Sequence, residues 1–132
     1  MAKREPKIYG SKTLAAIMDD LQREFPDVEI HHVQSNSEGE LVDAIQKYGL
    51  MCPYGIINGA GYTHTSVAMR DAIASVECEF VEVHISNIFK REEFRKQSFL
   101  SEVCQGVMTG FGPDVYRLAM DYIVRKVARE AS

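Results

Sequence analysis

A glutamate and a histidine two positions apart, Glu82 and His84, are well placed in this sequence to do acid–base chemistry. They lie in a run that predicts a strand from Phe80 to Ile85, and residues two apart on a strand point to the same face. A carboxylate beside an imidazole can fix the tautomer of the ring and favour its protonated form. The same spacing also fits a purely structural pair at the end of a sheet, so the pair alone leaves both interpretations open.

Other polar side chains follow the ends of predicted strands. They are Asn58, with His64 just beyond it, then Ser86 and Asn87, and then Arg91 and Arg95 in the next segment. In open parallel sheets, ligands bind at the carboxyl ends of the strands. Loops do not need such side chains in order to fold, so the clustering favours a ligand site at this edge.

Two further features each have a chemical and a structural interpretation. The Gly59-Ala60-Gly61 turn before a predicted helix resembles an anion cradle, but it equally fits a tight strand-to-helix turn. Tyr9 lies in a polar segment and could be a base if nearby arginines stabilise its phenolate. The alternative is a tyrosine that only packs a chain terminus.

No metal site and no cofactor are predicted. The adjacent His31 and His32 fall in a predicted strand, so they should point to opposite faces and not share a ligand. The glycine turn lacks the third glycine of the dinucleotide fingerprint.

The elements that must position these residues alternate between helices and strands. The predicted helices run from a cap at Ser11 to about Phe25, from a capping box of Ser37 and Glu40 to a stop at Gly49, over Ser66–Ser75, over Arg91–Gln97, and from Pro113 onward. The predicted strands are Val28–Gln34, Gly55–Asn58, Phe80–Ile85 and Gln105–Thr109. This alternation predicts an α/β fold with a parallel sheet covered by helices on both faces. Such units normally begin with a strand, so a starting strand is expected to be missing from this chain.

Composition bounds the class of protein. A chain of 132 residues, 45% hydrophobic and 26% charged, fits one globular domain over 1–132. The net charge of −4 and the lack of a basic run argue against nucleic acid as a partner, and no apolar run is long enough to span a membrane. The three cysteines have no C-x-x-C spacing and are expected to be small core residues of a protein in a reducing cytoplasm.

Four ordered segments together resemble the type II 3-dehydroquinate dehydratases. The segments are REPKIYG at 4–10, QSNSEGELVDAI at 34–45, INGAGYTHTSVAMRDA at 57–72 and FVEVHISNIFKREEFRKQSFLS at 80–101. The resemblance covers nearly the whole chain. It implies a flavodoxin-like three-layer fold, a dodecamer built from trimers, and a lyase of the shikimate pathway that dehydrates 3-dehydroquinate by anti elimination through an enolate.

The resemblance also implies a role for each matching residue. Tyr9 would be the general base and His84 the general acid, with Glu82 orienting His84 and with Arg4 and Arg91 keeping Tyr9 ionised. The substrate-binding positions would be Asn58, His64, Ile85, Ser86 and Arg95, with Asp71 reaching the site of a neighbouring subunit.

The match breaks at the start of the chain. Family members begin with a central strand and a loop reading roughly G-P-N-L-N-L-L-G, whereas only Met1-Ala2-Lys3 precede Arg4 here. An alternative function therefore stays open, in which a truncated and catalytically weak homologue acts as a ligand-binding or assembly protein.

Overall fold

The structure is a computed structural model that describes residues 8–9, 12–59, 63, 65–87 and 98–131. Within these residues, the main sheet is parallel and has three strands. Its strands are β3 (Tyr54–Ile57), β4 (Glu79–His84) and β5 (Gly106–Thr109), in that order. A short antiparallel pair, β1 (Ile8–Tyr9) and β2 (Lys12–Thr13), precedes them. The helices are α1 (Leu14–Glu24), α2 (Glu38–Met51), α3 (Val67–Ser75) and α4 (Asp114–Glu130), and a 3₁₀ turn covers Ser101–Val103.

Strand β4 is buried on both faces and divides the core into two clusters. Val81 and Val83 pack against α4, in a cluster that includes Val115, Ala119 and Ile123. Phe80 packs on the opposite face in a cluster with residues of α2 and α3, among them Ile45, Met69, Ala72 and Ile73. Helices therefore cover both faces of the sheet, and the predicted three-layer α/β architecture is confirmed. Because successive strand residues alternate between faces, Glu82 and His84 share the face of Phe80.

Helix α2 begins as predicted and ends later than predicted. The Ser37 hydroxyl accepts from the Glu40 N–H at 3.2 Å, while the Glu40 carboxylate bonds to Ser35 and so forms no reciprocal capping box. The predicted stop at Gly49 is wrong, since the helix continues to Met51. A Cβ at Gly49 would lie 2.7 Å from a methyl of Val76, so glycine is needed for the close approach of this helix to the end of α3.

The first helix has a different cap from the predicted one. Its N-cap is Thr13, whose hydroxyl accepts from the Ala16 N–H at 3.2 Å, whereas the predicted cap, Ser11, lies outside the described residues. Ile17 and Leu21 of this helix are buried in the core. The predicted helices at Ser66–Ser75 and after Pro113 are confirmed, with Ser66 capping α3. The predicted helix at 91–97 lies outside the described part of the chain.

The predicted strand Val28–Gln34 is wrong. The Gln22 side chain donates to the Val28 carbonyl at 2.8 Å and the Val28 N–H donates to Phe25, so the segment starts as an extension of the turn after α1. Within the described ranges, no strand lies between this segment and β3, and an extended segment needs a paired neighbour to form a ladder.

A groove of about 700 Å³ separates that segment from β3. Its lining is mainly apolar and includes Met18, Leu21, Ile45, Tyr48, Ile56 and Ile123. Among the described strands, β3 is at the edge of the sheet, and the groove runs along it.

The cysteines are free thiols. Cys78 is buried in the core and burial raises its pKa to about 11, while Cys52 and Cys104 are half-buried. Among the described helices, none is both long and apolar enough to cross a membrane.

Candidate active site

The centre of the site is the buried pair at the carboxyl end of β4. Glu82 is 0% exposed and His84 is 6% exposed. The predicted contact between them is present, because Nε2 of His84 is hydrogen-bonded to Oε2 of Glu82. Taking a carboxylate out of water is costly unless donors replace the lost hydration, so the surroundings of Glu82 decide what the pair can do.

Two serine hydroxyls supply those donors. Ser98 donates to Oε2 of Glu82 at 2.9 Å, and Ser101 donates to Oε1 at 2.7 Å. Burial by itself raises the pKa of Glu82, but hydrogen bonds from His84, Ser101 and Ser98, together with the charge of His84, outweigh burial and hold this pKa below its usual value. Glu82 is therefore an ionised carboxylate at neutral pH.

The charge state of Glu82 determines the tautomer of His84. An ionised carboxylate has only acceptor atoms, so the imidazole nitrogen that faces it, Nε2, must carry a hydrogen. Nδ1 is then the ring atom that can release or accept a proton in chemistry. This orientation suits His84 to act as a general acid with Glu82 as its counter-charge.

The Ser98 hydroxyl is itself held in place. Its oxygen accepts from the N–H groups of Leu100 and Ser101, both at 3.1 Å. The Phe99 N–H donates to the Thr63 carbonyl at 2.8 Å, and Leu100 is fully buried in the core. The turn at 98–101 is therefore anchored on two sides while it presents hydroxyls to Glu82.

Two glycines hold the segment after β4. The Gly110 N–H donates to the His84 carbonyl at 3.1 Å, and the Gly112 N–H donates to the Ile85 carbonyl at 2.9 Å. Both glycines have positive φ, of 93° and 60°, which side chains of L-residues rarely adopt. Thr109 adds a bond from its hydroxyl to the Ser86 carbonyl at 3.0 Å. These bonds leave the exposed Ser86 side chain at the sheet edge beside His84.

Asn58 follows β3 at the same edge. The register pairs Ile57 with Glu82, so Asn58 lies alongside the end of β4, as predicted. Its amide donates to the Tyr116 hydroxyl of α4 at 3.2 Å. The next residue, Gly59, is buried, and a Cβ there would lie 2.6 Å from the Thr63 hydroxyl. Close packing thus accounts for this glycine and favours the tight-turn interpretation at Gly59.

Among the predicted site residues, Glu82, His84, Asn58, Ile85 and Ser86 lie at the carboxyl edge of the sheet, with Glu82 and His84 on the face of Phe80 and the Asn58 amide bonded to Tyr116 of α4, which covers the other face. Asp71 lies apart from them on the exposed side of α3. The backbone of Tyr9 forms part of β1, and nothing further is described of that residue. The remaining predicted positions, Arg4, His64, Arg91 and Arg95, lie outside the described residues.

Sequence reasoning missed three polar contributors, namely Ser98, Ser101 and Tyr116. The two serines are three residues apart in a Ser-Phe-Leu-Ser segment, a spacing that puts both hydroxyls on one side of a tight turn. Tyr116 falls within the last predicted helix, but the sequence predicts no chemical role for its side chain. Its hydroxyl is the part that a hydrophobicity pattern ignores.

The two adjacent histidines lie in the wrongly predicted strand at 28–34. His31 stacks on Tyr48 with ring centroids 5.1 Å apart, and partial burial lowers the pKa of His32. Considering only the residues that the structure describes, no three His, Cys, Asp or Glu side chains are grouped as metal ligands.

Comparison with known proteins assigns the chain to a family. The sequence model described as Dehydroquinase class II matches residues 1–124. The 3-dehydroquinate dehydratase of Colwellia psychrerythraea is 49% identical over 123 residues, which cover 92% of this chain and 80% of that protein. The 3-dehydroquinate dehydratase of Bordetella avium is 49% identical over 130 residues, covering 95% of this chain and 89% of that protein.

Solved structures agree with the sequence comparison. The type II dehydroquinase from Butyrivibrio crossotus superposes with a TM-score of 0.82 at 38% identity, over 90% of this chain and 85% of that one. The type II dehydroquinase from Propionibacterium acnes gives a TM-score of 0.83 at 32% identity, over 92% of this chain and 85% of that one. From its sequence, its layer architecture and these matches, the chain belongs to the class II dehydroquinase family.

Proposed function

We propose that this chain is a 3-dehydroquinate dehydratase, a hydro-lyase that converts 3-dehydroquinate to 3-dehydroshikimate and water in the shikimate pathway. The observation that carries the proposal is the buried His84, hydrogen-bonded through Nε2 to the ionised Glu82 at the carboxyl edge of the sheet. Family membership supplies the substrate, since the relatives that match most of this chain are named for this reaction.

His84 supplies the proton for the leaving group. Elimination breaks a carbon–oxygen bond of the substrate, and the departing hydroxyl must be protonated to leave as water. With Nε2 committed to Glu82, Nδ1 of His84 delivers this proton, and the electron pair of the broken bond stays with the oxygen. General acid catalysis of this kind contributes roughly 10²–10⁴-fold to the rate.

Tyr9 is assigned as the base that removes the proton next to the carbonyl. A free tyrosine has a pKa of about 10 and is mostly neutral at pH 7. Arg4 and Arg91 are assigned to favour its phenolate, because two close guanidinium groups stabilise a negative charge in a water-poor site. The enolate formed by proton removal then expels the hydroxyl that His84 protonates, in an anti elimination. No metal or organic cofactor takes part in these steps.

Substrate binding is assigned to the polar groups at the sheet edge. The Ser86 hydroxyl, the backbone of Ile85 and Ser86, and the amide of Asn58 receive the substrate carboxylate. His64 and Arg95 hold the ring hydroxyls. The exposure of the Ser86 side chain and the position of Asn58 beside the end of β4 support this assignment.

Assembly and location follow from the same resemblance. We assign the chain to a cytoplasmic dodecamer that is built from trimers and in which Asp71 contacts the site of a neighbouring subunit. The exposure of Asp71 on α3 is compatible with that role. Size-exclusion chromatography with light scattering measures the assembly, and a stable monomer would contradict it.

Direct turnover tests the proposed activity. The enone product absorbs in the ultraviolet where the substrate does not, so purified protein with 3-dehydroquinate should give a rising absorbance. Tyr9→Phe should abolish the signal, because a phenyl ring cannot accept the proton. Calorimetric binding of 3-dehydroquinate without any product would contradict the activity and leave a ligand-binding protein instead.

A further inference from the structure

We infer that Ser98 and Ser101 are positioning residues that keep the acid pair ionised, an inference that rests on the proposed function. Each hydroxyl donates to a different oxygen of Glu82, Ser98 to Oε2 and Ser101 to Oε1. Neither serine is assigned to touch the reacting atoms of the substrate. Their effect on the reaction passes through Glu82 to His84.

Hydrogen-bond capacity makes the direction of the Ser98 bond unambiguous. A serine hydroxyl has one hydrogen and two lone pairs. Both lone pairs of Ser98 receive backbone hydrogens, from Leu100 and Ser101, at 3.1 Å. The single hydroxyl hydrogen is therefore directed at Glu82, and the oxygen that receives it cannot itself carry a proton pointing along the same line.

The arrangement gives Glu82 three donors and no exposure to water. The third donor is Nε2–H of His84, which shares Oε2 with Ser98. Without the serines, a carboxylate that is 0% exposed would have His84 as its only described donor from a side chain. Protonation of Glu82 would then compete with the ion pair, and His84 would lose its counter-charge.

The two steps of the coupled titration respond differently to loss of a serine. In the acidic step, Glu82 loses its proton and forms an ion pair with His84. The serine hydroxyls donate to the carboxylate and therefore favour the ionised form of Glu82. Glu82 stays ionised throughout the alkaline step, so the serine donors stabilise the states before and after it alike. Loss of a hydroxyl should therefore move the acidic limb of the pH–rate profile upward and leave the alkaline limb in place.

Ser101→Ala is the main test, since the Ser101 hydroxyl makes only the bond to Glu82 among the side-chain bonds described here. We expect the acidic limb of the pH–rate profile to rise by about one pH unit, or 1.36 kcal/mol, so that kcat falls by up to about tenfold on the acidic side, while KM and the rate at neutral pH change little. Ser101→Thr keeps a hydroxyl and should restore both values. Ser75→Ala, which removes a hydroxyl bonded to the Ala72 carbonyl at 2.7 Å, is the matched control and should behave as the unmodified protein.

A readout that needs no turnover separates this inference from the proposed activity. Carbon-13 NMR of carboxyl-labelled glutamate follows the titration of Glu82, identified by the signal lost in Glu82→Gln. A shifted titration in Ser101→Ala supports the inference even if 3-dehydroquinate is not turned over. An unshifted titration in an active protein, or equal effects of the alanine and threonine variants, would overturn it.

Discussion

Oε2 of Glu82 and Nε2 of His84 are hydrogen-bonded on one face of a strand whose end the solvent barely reaches. The two side chains come from a single element and need no loop to bring them together. Rigid placement of this kind keeps an acid in its reactive orientation before the substrate arrives. The strand in turn is held by valines packed beneath α4.

Replacing His84 by alanine should lower kcat by about 10²–10⁴, because no other group is assigned to protonate the departing hydroxyl. KM should change much less, since substrate binding is assigned to other groups. The ultraviolet assay measures both quantities. Replacing the exposed His31 by alanine is the control, and a His84→Ala protein within tenfold of the original rate would refute the role of general acid.

Replacing Glu82 by glutamine should change how stability depends on pH. Because the pKa of Glu82 in the folded protein lies below its usual value of 4.5, its ionisation adds stability above pH 4.5, and this contribution is lost as the pH falls through the folded-state pKa. The stability advantage over Glu82→Gln should therefore be largest above pH 4.5 and shrink in acid. Urea unfolding from pH 7 to pH 3 measures it, with the exposed Glu102→Gln as control; a constant difference would contradict the ionised state.

Replacing Gly49 by alanine should destabilise the fold although alanine favours helices. The added methyl would lie 2.7–2.8 Å from three side-chain atoms of Val76, and such overpacking costs about 1–3 kcal/mol. Gly39→Ala in the same helix meets nothing closer than 3.9 Å and should leave stability unchanged or raise it by up to about 1 kcal/mol. Denaturant unfolding measures both variants. Adding Val76→Ala to Gly49→Ala should recover part of the loss, and a stable Gly49→Ala protein would show that the contact is unimportant.

Removing the cap of α3 should cost more than removing the cap of α2. Ser66 is buried, accepts from the Met69 N–H at 3.0 Å and donates to the Glu38 carboxylate, whereas Ser37 caps an exposed helix end. Loss of an exposed cap costs about 1 kcal/mol, and loss of a buried hydroxyl with two partners about 2 kcal/mol. Thermal and urea unfolding of Ser66→Ala and Ser37→Ala should therefore rank in that order. The reverse order would mean that the Glu38 bond contributes nothing.

The sequence predicts those strands and helices that have a clear local pattern of hydrophobic residues. Strand β4 could be predicted with its Glu82–His84 pair, because a run of β-branched residues carries its own signal and period two puts both on one face. Helix α2 was predicted from its cap, but its end was not, because the contact of Gly49 with Val76 joins residues distant in sequence.

Outside β4 itself, candidate site residues could be predicted only where a residue directly follows a strand. Asn58 and Ser86 are predicted in this way, and both lie at the carboxyl edge of the sheet. Ser98 and Ser101 are not predicted, because their importance depends on a turn that folds back over Glu82. The strand predicted at 28–34 is wrong for a related reason. A strand forms only with a hydrogen-bonded neighbour, and the sequence of one segment does not show whether that neighbour is present.

The Leu100 and Ser101 N–H groups donate to the Ser98 hydroxyl, so the position of that hydroxyl beside Glu82 depends on how well Leu100 is packed in the core. Leu100 is fully buried, so anything that loosens its packing also releases the turn. Mild heating or a low concentration of denaturant should therefore abolish enzyme activity while far-ultraviolet circular dichroism still shows native helix content. Activity would then be lost at a lower temperature or denaturant concentration than the helices. Enzyme activity would therefore report loosened packing around Leu100 before spectroscopy detects unfolding.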